Sequence, residues 1–332
     1  MRFARAVGAA GRFMIRLGVL ILLLVVYQLW GTGIHTSEAQ DKLRKQFAQE
    51  QQALAESPGS ATGSTTDSTT GAGGTQATLP VKVQKDLSLA VPKPGDPIGI
   101  IDIPRINSNF VFVEGVELQY LSEGPGHYPG TPLPGQEGNA AIAGHRTTYK
   151  APFNRIDELK PGDLIFITTL QGHFTYQVLP EPNPDDPSGP KLGHRIVQPT
   201  DVKVLDYQGI NELTLTACHP KYYATNRIVV HARLVGNPAP SRRGTASHVA
   251  PTALAELNNG VPSQRLPAAA WGVVAIAIWF ATWFVSQRLK RPGGTRAQRL
   301  VRWTPYLVGV PLFVVALYAS FEAFSKVLPG AF

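Results

Sequence analysis

Cysteine is almost absent from this chain. Cys218 is the only one in 332 residues, so no intramolecular disulfide can form, and the thiol is a buried structural group, an intermolecular link or a reactive nucleophile. A glycine-rich phosphate loop following a strand is also lacking, which removes the usual mononucleotide signature. Between residues 97 and 236 helical periodicity is nearly missing, which argues against a helical or α/β core. That block also lacks excess positive charge. The whole chain carries +8, yet residues 97–236 hold 11 Lys/Arg against 14 Asp/Glu, a net of −3. The surplus flanks apolar segments instead, so the charge describes a membrane protein and not a nucleic-acid footprint.

Three apolar runs are present. Phe13–Trp30 follows Arg2, Arg5 and Arg12, and includes Arg16. About 20 apolar residues span a bilayer core. A cleaved signal peptide competes with a retained anchor, but no Ala-x-Ala site follows the run, so an anchor is expected. Ala268–Val285 and Trp303–Phe324 are two further spans. The second contains Pro305 and Pro311, which membrane helices tolerate when the freed backbone groups find partners. Six basic residues (Arg288, Lys290, Arg291, Arg296, Arg299, Arg302) lie around the turn between these spans. The positive-inside rule then sets a cytoplasmic N-terminus, an exported segment over residues 31–267 and a cytoplasmic loop after the second span.

The organisation expected is therefore a cytoplasmic tail and anchor over 1–35, a helical stalk and flexible linker over 36–96, a folded domain over 97–236, a linker over 237–267 and a two-span membrane hairpin over 268–332. Residues 57–77 are small and polar and cannot bury enough apolar surface to offset chain entropy. Ser37 and Gln40 fit a capping box opening a helix to Glu56. Its apolar stripe of Leu43, Phe47 and Leu54 is thin, so a solvated stalk or a weak coiled-coil contact is expected.

The domain reads as all-β. Strand-like runs occur at Ile98–Ile103, Asn109–Val113, Asn139–Ala143, Asp163–Thr168, His173–Leu179, Glu212–Ala217 and Arg227–Leu234. Pro, Gly, Asn and Asp clusters separate them, with a possible helical turn at Pro152–Leu159, as in a barrel or sandwich.

Cysteine attacks as thiolate, and a pKa of about 8.5 leaves only a few per cent ionised at neutral pH, so a nearby cation or base is required. If Glu212–Ala217 and Arg227–Leu234 pair as an antiparallel hairpin, Cys218 and Arg227 face each other with Cβ atoms roughly 5 Å apart. An arginine there can stabilise a thiolate or an oxyanion. A buried guanidinium without a partner is costly. The best base candidate is His145, in Gly144-His-Arg146 directly after an apolar strand. Seven other histidines compete. His127 and His194 lie in loops, His173 and His231 read as partly exposed strand positions, and His35 and His248 lie outside the domain. His219 adjoins Cys218 and points to the opposite face of an extended strand. Asp185-Asp186 and Glu114/Glu117 read as solvated loop charges, so neither a metal nor another cofactor is expected.

Thr214-Leu-Thr-Ala-Cys218, Arg227 nine residues on and His145 upstream in Gly-His-Arg together resemble the sortases, membrane-anchored cysteine transpeptidases of Gram-positive bacteria. Gly126-His-Tyr-Pro-Gly130, Gly138 to Tyr149, Pro152-Phe153 and Pro161-Gly-Asp163 are similar to actinobacterial sortases of class E. Ala217 stands where many sortases have Thr, which leaves the backbone N–H intact. Asp96-Pro97 is followed by Ile98 and not an aromatic, so a class C lid is not expected. The resemblance implies a closed eight-stranded barrel, here with three flanking transmembrane helices and an extracytoplasmic catalytic face. It implies Cys218 as nucleophile on the Thr–Gly bond of an LPXTG or LAXTG sorting signal, His145 as acid and base, and Arg227 on the oxyanion or substrate backbone. The partners implied are secreted proteins with a C-terminal sorting signal, a peptidoglycan precursor or other amine acceptor, and membrane lipid. Two alternatives remain. One is another wall-directed cysteine enzyme, L,D-transpeptidase-like or NlpC-type, though neither motif spacing matches. The other is a non-catalytic scaffold that binds sorting peptides.

Overall fold

The computed structural model describes residues 2–56, 92–241, 265–289 and 303–327. The linker expected at 57–77, most of that at 237–267 and the basic residues 290–302 lie outside the described residues.

The seven expected strands all form, together with two very short ones. In chain order they are β1 (Pro97–Ile103), β2 (Ser108–Glu114), β3 (Gly126–His127), β4 (Asn139–Ala143), β5 (Leu164–Thr169), β6 (Gly172–Val178), β7 (Arg195–Val197), β8 (Glu212–His219) and β9 (Asn226–Val235). Their order is β6-β5-β1-β2-β3-β4-β8-β9, and β9 pairs again with β6 to close an eight-stranded ring, while β7 adds to the outside of β9. Closure removes the free edges of the sheet. It depends on the two-residue β3, too short to leave an alternating pattern. Alternation elsewhere sorts the faces: Ile101 and Ile103, Leu213 and Leu215, and Ile228 and Val230 fill the barrel interior and are fully buried. Burying each such side chain stabilises by about 1.5–3 kcal/mol. The helical turn expected at Pro152–Leu159 is a single 3-10 turn, Ile156–Glu158.

Two pairings decide the location of the site. β4 runs parallel to β8, with Ala143 opposite Thr216, so both strands leave the barrel at the same rim. β9 runs antiparallel to β8 and starts at that rim, with Cys218 opposite Arg227. The hairpin register expected from the sequence is the one observed.

The N-terminal segment differs from the expected stalk. Helix α1 (Arg2–Val26) continues through a π-helical turn at Tyr27–Gly31 into α2 (Thr32–Glu56). No capping box forms at Ser37, because the helix is already under way and the Ser37 hydroxyl bonds back to the Gly33 carbonyl at 2.8 Å. The thin stripe is not solvated. Leu43 and Phe47 are 3% and 1% exposed, and Leu43 packs on Val111 and Val113 of β2. Gln40 acts as a short stretch of strand: its Nε2 donates to the Val111 carbonyl (2.8 Å) and the Glu123 carbonyl (2.9 Å), and its Oε1 accepts from Val111 N–H (2.8 Å). The partner that buries the stripe is the barrel, which helical periodicity alone cannot reveal.

After a short helix α3 (Leu118–Leu121) and the barrel come α4 (Arg265–Arg288) and α5 (Thr304–Ser325). Both are long and apolar enough to cross a membrane; in α1 the apolar stretch is the shorter Met14–Val26. Among the described residues two helices, and not the three expected, therefore have the length and composition of spans. Small buried residues recur every seven positions on each: Ala268, Ala275 and Thr282 on α4, and Gly309, Ala316 and Ala323 on α5. Such residues let apolar helices approach closely. A Cβ at Gly309 would overlap the Thr282 side chain.

Candidate active site

Thr214, Thr216 and Cys218 alternate onto the face of β8 opposite the barrel core, and their cross-strand partners His231, Val229 and Arg227 share that face. Ala141 and Ala143 of β4 belong to the apolar cluster on this outer side. Two residues past each end of the parallel register lie Cys218 and His145. The turn after β4 is tied by Gly144 N–H donating to the Thr216 carbonyl at 3.0 Å. Gly144 has no side chain for a local reason: the Phe153 ring occupies the place where its Cβ would stand, 2.6 Å away. The structure thus brings Cys218, Arg227 and His145 to one rim.

Arg227 is fully buried. Its Nη1 donates to the carbonyls of Ala224 (3.1 Å) and Asn226 (2.9 Å). These bonds aim the guanidinium along the β8–β9 turn beside the cysteine. Cys218 is partly exposed. Burial pushes its thiol up, against the pull of the Arg227 and Arg146 guanidinium groups. His145 is 4% exposed, and burial lowers it to about 4. Burial thus favours the uncharged form of both the thiol and the imidazole. His145 Nε2 is buried with no hydrogen-bond partner among the described residues. Its ring packs at 4.9 Å, tilted by 37°, on the ring of Tyr149.

Sequence reasoning missed three neighbours. Arg146 is buried, pairs with Asp157 at 2.8 Å, and places Nη1 2.9 Å from His219 Nδ1 and 3.4 Å from the Cys218 carbonyl. The Tyr128 hydroxyl lies 2.8 Å from Thr216 Oγ1. Tyr149 covers His145. Each lay inside a quoted motif, but nothing in the spacing marks which residue of a loop turns inward.

The other described histidines serve other contacts, and His248 lies outside the described residues. Glu114 is not a solvated loop charge: it is 2% exposed and meets His127 Nδ1 at 2.7 Å, a buried pair completed by the Pro132 carbonyl and Thr131 on Nε2. His231 is likewise buried, between Thr214 and Arg195. His173 is exposed on β6. Among the described residues no group of three His, Cys, Asp or Glu is placed to hold a metal.

A sortase domain model matches residues 101–235. Among curated proteins, the chain is 31% identical to Sortase D of Bacillus subtilis over 43% of its own length and 67% of that protein. It is 27% identical to Sortase SrtE2 of Streptomyces coelicolor over 70% of its length and 83% of that protein. For Sortase SrtE1 of the same organism the identity is 27% over 68% of the chain, which spans 56% of that relative. Among solved structures, a Sortase D5 transpeptidase from Clostridium perfringens is 25% identical, with 60% of this chain and 98% of that one covered and a TM-score of 0.40.

Proposed function

Because the chain belongs to the sortase family of cysteine transpeptidases, we propose that Cys218, His145 and Arg227 carry its reaction. The substrate is a C-terminal sorting signal of LPXTG or LAXTG type, and the acceptor is a cell-wall amine. The observation that carries this reading is the rim geometry: Cys218 lies opposite Arg227 across the ladder, with His145 at the matching end of the parallel neighbour.

With burial favouring the neutral thiol and imidazole, the first step needs a proton transfer. The Cys218 S–H proton passes to His145 as Sγ bonds to the threonine carbonyl carbon. The resulting oxyanion lies toward Arg227, whose charge stabilises it. The Thr–Gly C–N bond then breaks, His145 gives its proton to the leaving glycine amine, and a thioester remains on Cys218. In the second half His145 takes a proton from the incoming amine, which attacks the thioester. The C–S bond breaks, His145 returns its proton to Cys218 Sγ, and the new amide leaves with the thiol restored.

Burial of the imidazole favours release of its proton to the departing amine and opposes its uptake from the thiol. We place the barrel on the extracytoplasmic face, with the N-terminus cytoplasmic and the apolar helices in the cell membrane. The basic flanks support that orientation. Substrate and lipid-borne acceptor would both reach such a site from the bilayer.

The test uses the full-length protein in detergent, a peptide library of LPXTG and LAXTG types, and candidate amines, read by mass spectrometry. Loss of the fragment after threonine with gain of the amine is expected, and Cys218→Ala abolishes both. Full transpeptidation by Cys218→Ala overturns the assignment. Cleavage without any amine product indicates a hydrolase.

A further inference from the structure

The loop after His145 is held from two sides by helices outside the barrel. Tyr149, Lys150 and Ala151 have φ of 53°, 60° and 44°. Three consecutive non-glycine residues in the left-handed region are unfavourable and persist only where surrounding contacts enforce them. Two such contacts come from helix ends. The Tyr149 N–H donates to Oγ1 of Thr32, the first residue of α2, at 3.2 Å. Its hydroxyl meets Oγ of Ser325, the last residue of α5, at 3.4 Å. Donor accounting sets the direction of the second bond. The Ser325 hydroxyl donates to the Glu322 carbonyl at 2.8 Å, so it accepts from Tyr149. Thr32 likewise donates to the Gln28 carbonyl at 2.9 Å. The two helix ends are themselves joined, since Tyr27 packs on Tyr318 and Phe321 at 5.3 and 5.9 Å.

The face that Tyr149 presents inward is its ring, stacked on His145. Nothing hydrogen-bonds Nε2 of that imidazole among the described residues, so the stack is a principal constraint on its tilt. We propose that Tyr149 is a positioning residue for His145, and that the end of α5 holds it in place, which makes the C-terminal helix part of the catalytic unit. This rests on the reading of His145 as the base. Tyr149 touches no reacting atom. It acts by keeping the imidazole aligned with Cys218, and its ring position depends on Ser325 and Thr32.

The experiment uses the full-length protein in lipid nanodiscs, with kcat and KM measured separately on a sorting peptide. Misplacing a catalytic group by about 1 Å can cost on the order of 100-fold in rate. Tyr149→Leu removes the stack and is expected to lower kcat by roughly 10–100-fold with KM within about twofold. Tyr149→Phe keeps the ring and restores most of that loss. The residual few-fold deficit of Tyr149→Phe should match that of Ser325→Ala, and the double variant should be no slower than either single one, because both remove one shared bond. An unchanged kcat in folded Tyr149→Leu overturns the proposal, as do additive Phe and Ala effects. If Tyr149→Leu fails to fold, the Phe–Ala cycle decides alone. Failure of the base assignment shows separately, as retained activity in His145→Ala.

Discussion

Replacing Gln40 by alanine should loosen the barrel from outside. The amide of this α2 residue holds both the N–H and the carbonyl of Val111, and also the Glu123 carbonyl, in bonds of 2.8–2.9 Å. Val111 is fully buried, and Leu43 lies beside it. With the helix still docked, water enters poorly and both backbone groups of Val111 lose their partner. A buried polar group left unpaired costs about 1–3 kcal/mol, so the two together predict roughly 2–6 kcal/mol. For a urea slope of about 1–3 kcal/mol per molar, the midpoint should fall by on the order of 1–2 M. Trp30, Trp271, Trp279, Trp283 and Trp303 all lie outside the barrel sequence, so tryptophan emission does not follow this unfolding. Pulse proteolysis of the barrel in urea does. Gln40→Glu should be at least as harmful, since a carboxylate has no N–H to give the two carbonyls. A midpoint shift under about 0.3 M for Gln40→Ala would mean that water satisfies Val111 and that α2 is the solvated stalk its sequence suggests.

Three further outcomes follow from the same geometry. Arg227→Lys keeps the charge but loses the forked donor geometry, and should lower kcat/KM on a sorting peptide by about 100-fold; a loss under about threefold would remove Arg227 from the reaction. Arg146→Gln takes away one of the two cations that oppose the upward push of burial on the Cys218 thiol. Alkylation of Cys218 by iodoacetamide at pH 8 should therefore slow, and an unchanged rate refutes the electrostatic role. Glu212 is 4% exposed, and its Oε2 has no partner among the described residues; burial and the nearby Glu181 raise it from 4.5 to about 7. Its favourable contribution is complete below pH 4.5 and is lost as pH rises through about 7. Glu212→Gln should thus unfold at higher urea than the parent at pH 8 and nearly with it at pH 4.5. The same advantage at both values would contradict the assignment.

Much of the candidate site's geometry was legible as sequence because it is local or paired over short distances. The alternation of Leu213, Leu215 and Ala217 sets which face Cys218 occupies, and nine residues of spacing set Arg227 opposite it. Histidine identity was less readable. His145 stood among eight histidines, and the parallel pairing of β4 with β8 is what carries it to the cysteine. Parallel neighbours leave no spacing rule, since the 68 residues between Ala143 and Glu212 are free to take many paths. The environment of Glu114 was misread for a similar reason: a carboxylate beside a glycine reads as loop charge until His127, on a two-residue strand, comes to meet it.

The sequence by itself determined the elements whose signals lie within one segment. These are the strand runs, the apolar helices, the Cys218–Arg227 hairpin and the family motifs. Periodicity and turn chemistry act over a few residues, so they survive without a partner. Only the tertiary structure decided what those elements bury. It turned the thin stripe of α2 into a docked face, gave Gln40 the role of a strand, and joined Tyr149 to both Thr32 and Ser325, 117 and 176 positions away. Burial and hydrogen bonding belong to pairs of surfaces, and here the second surface comes from distant parts of the chain.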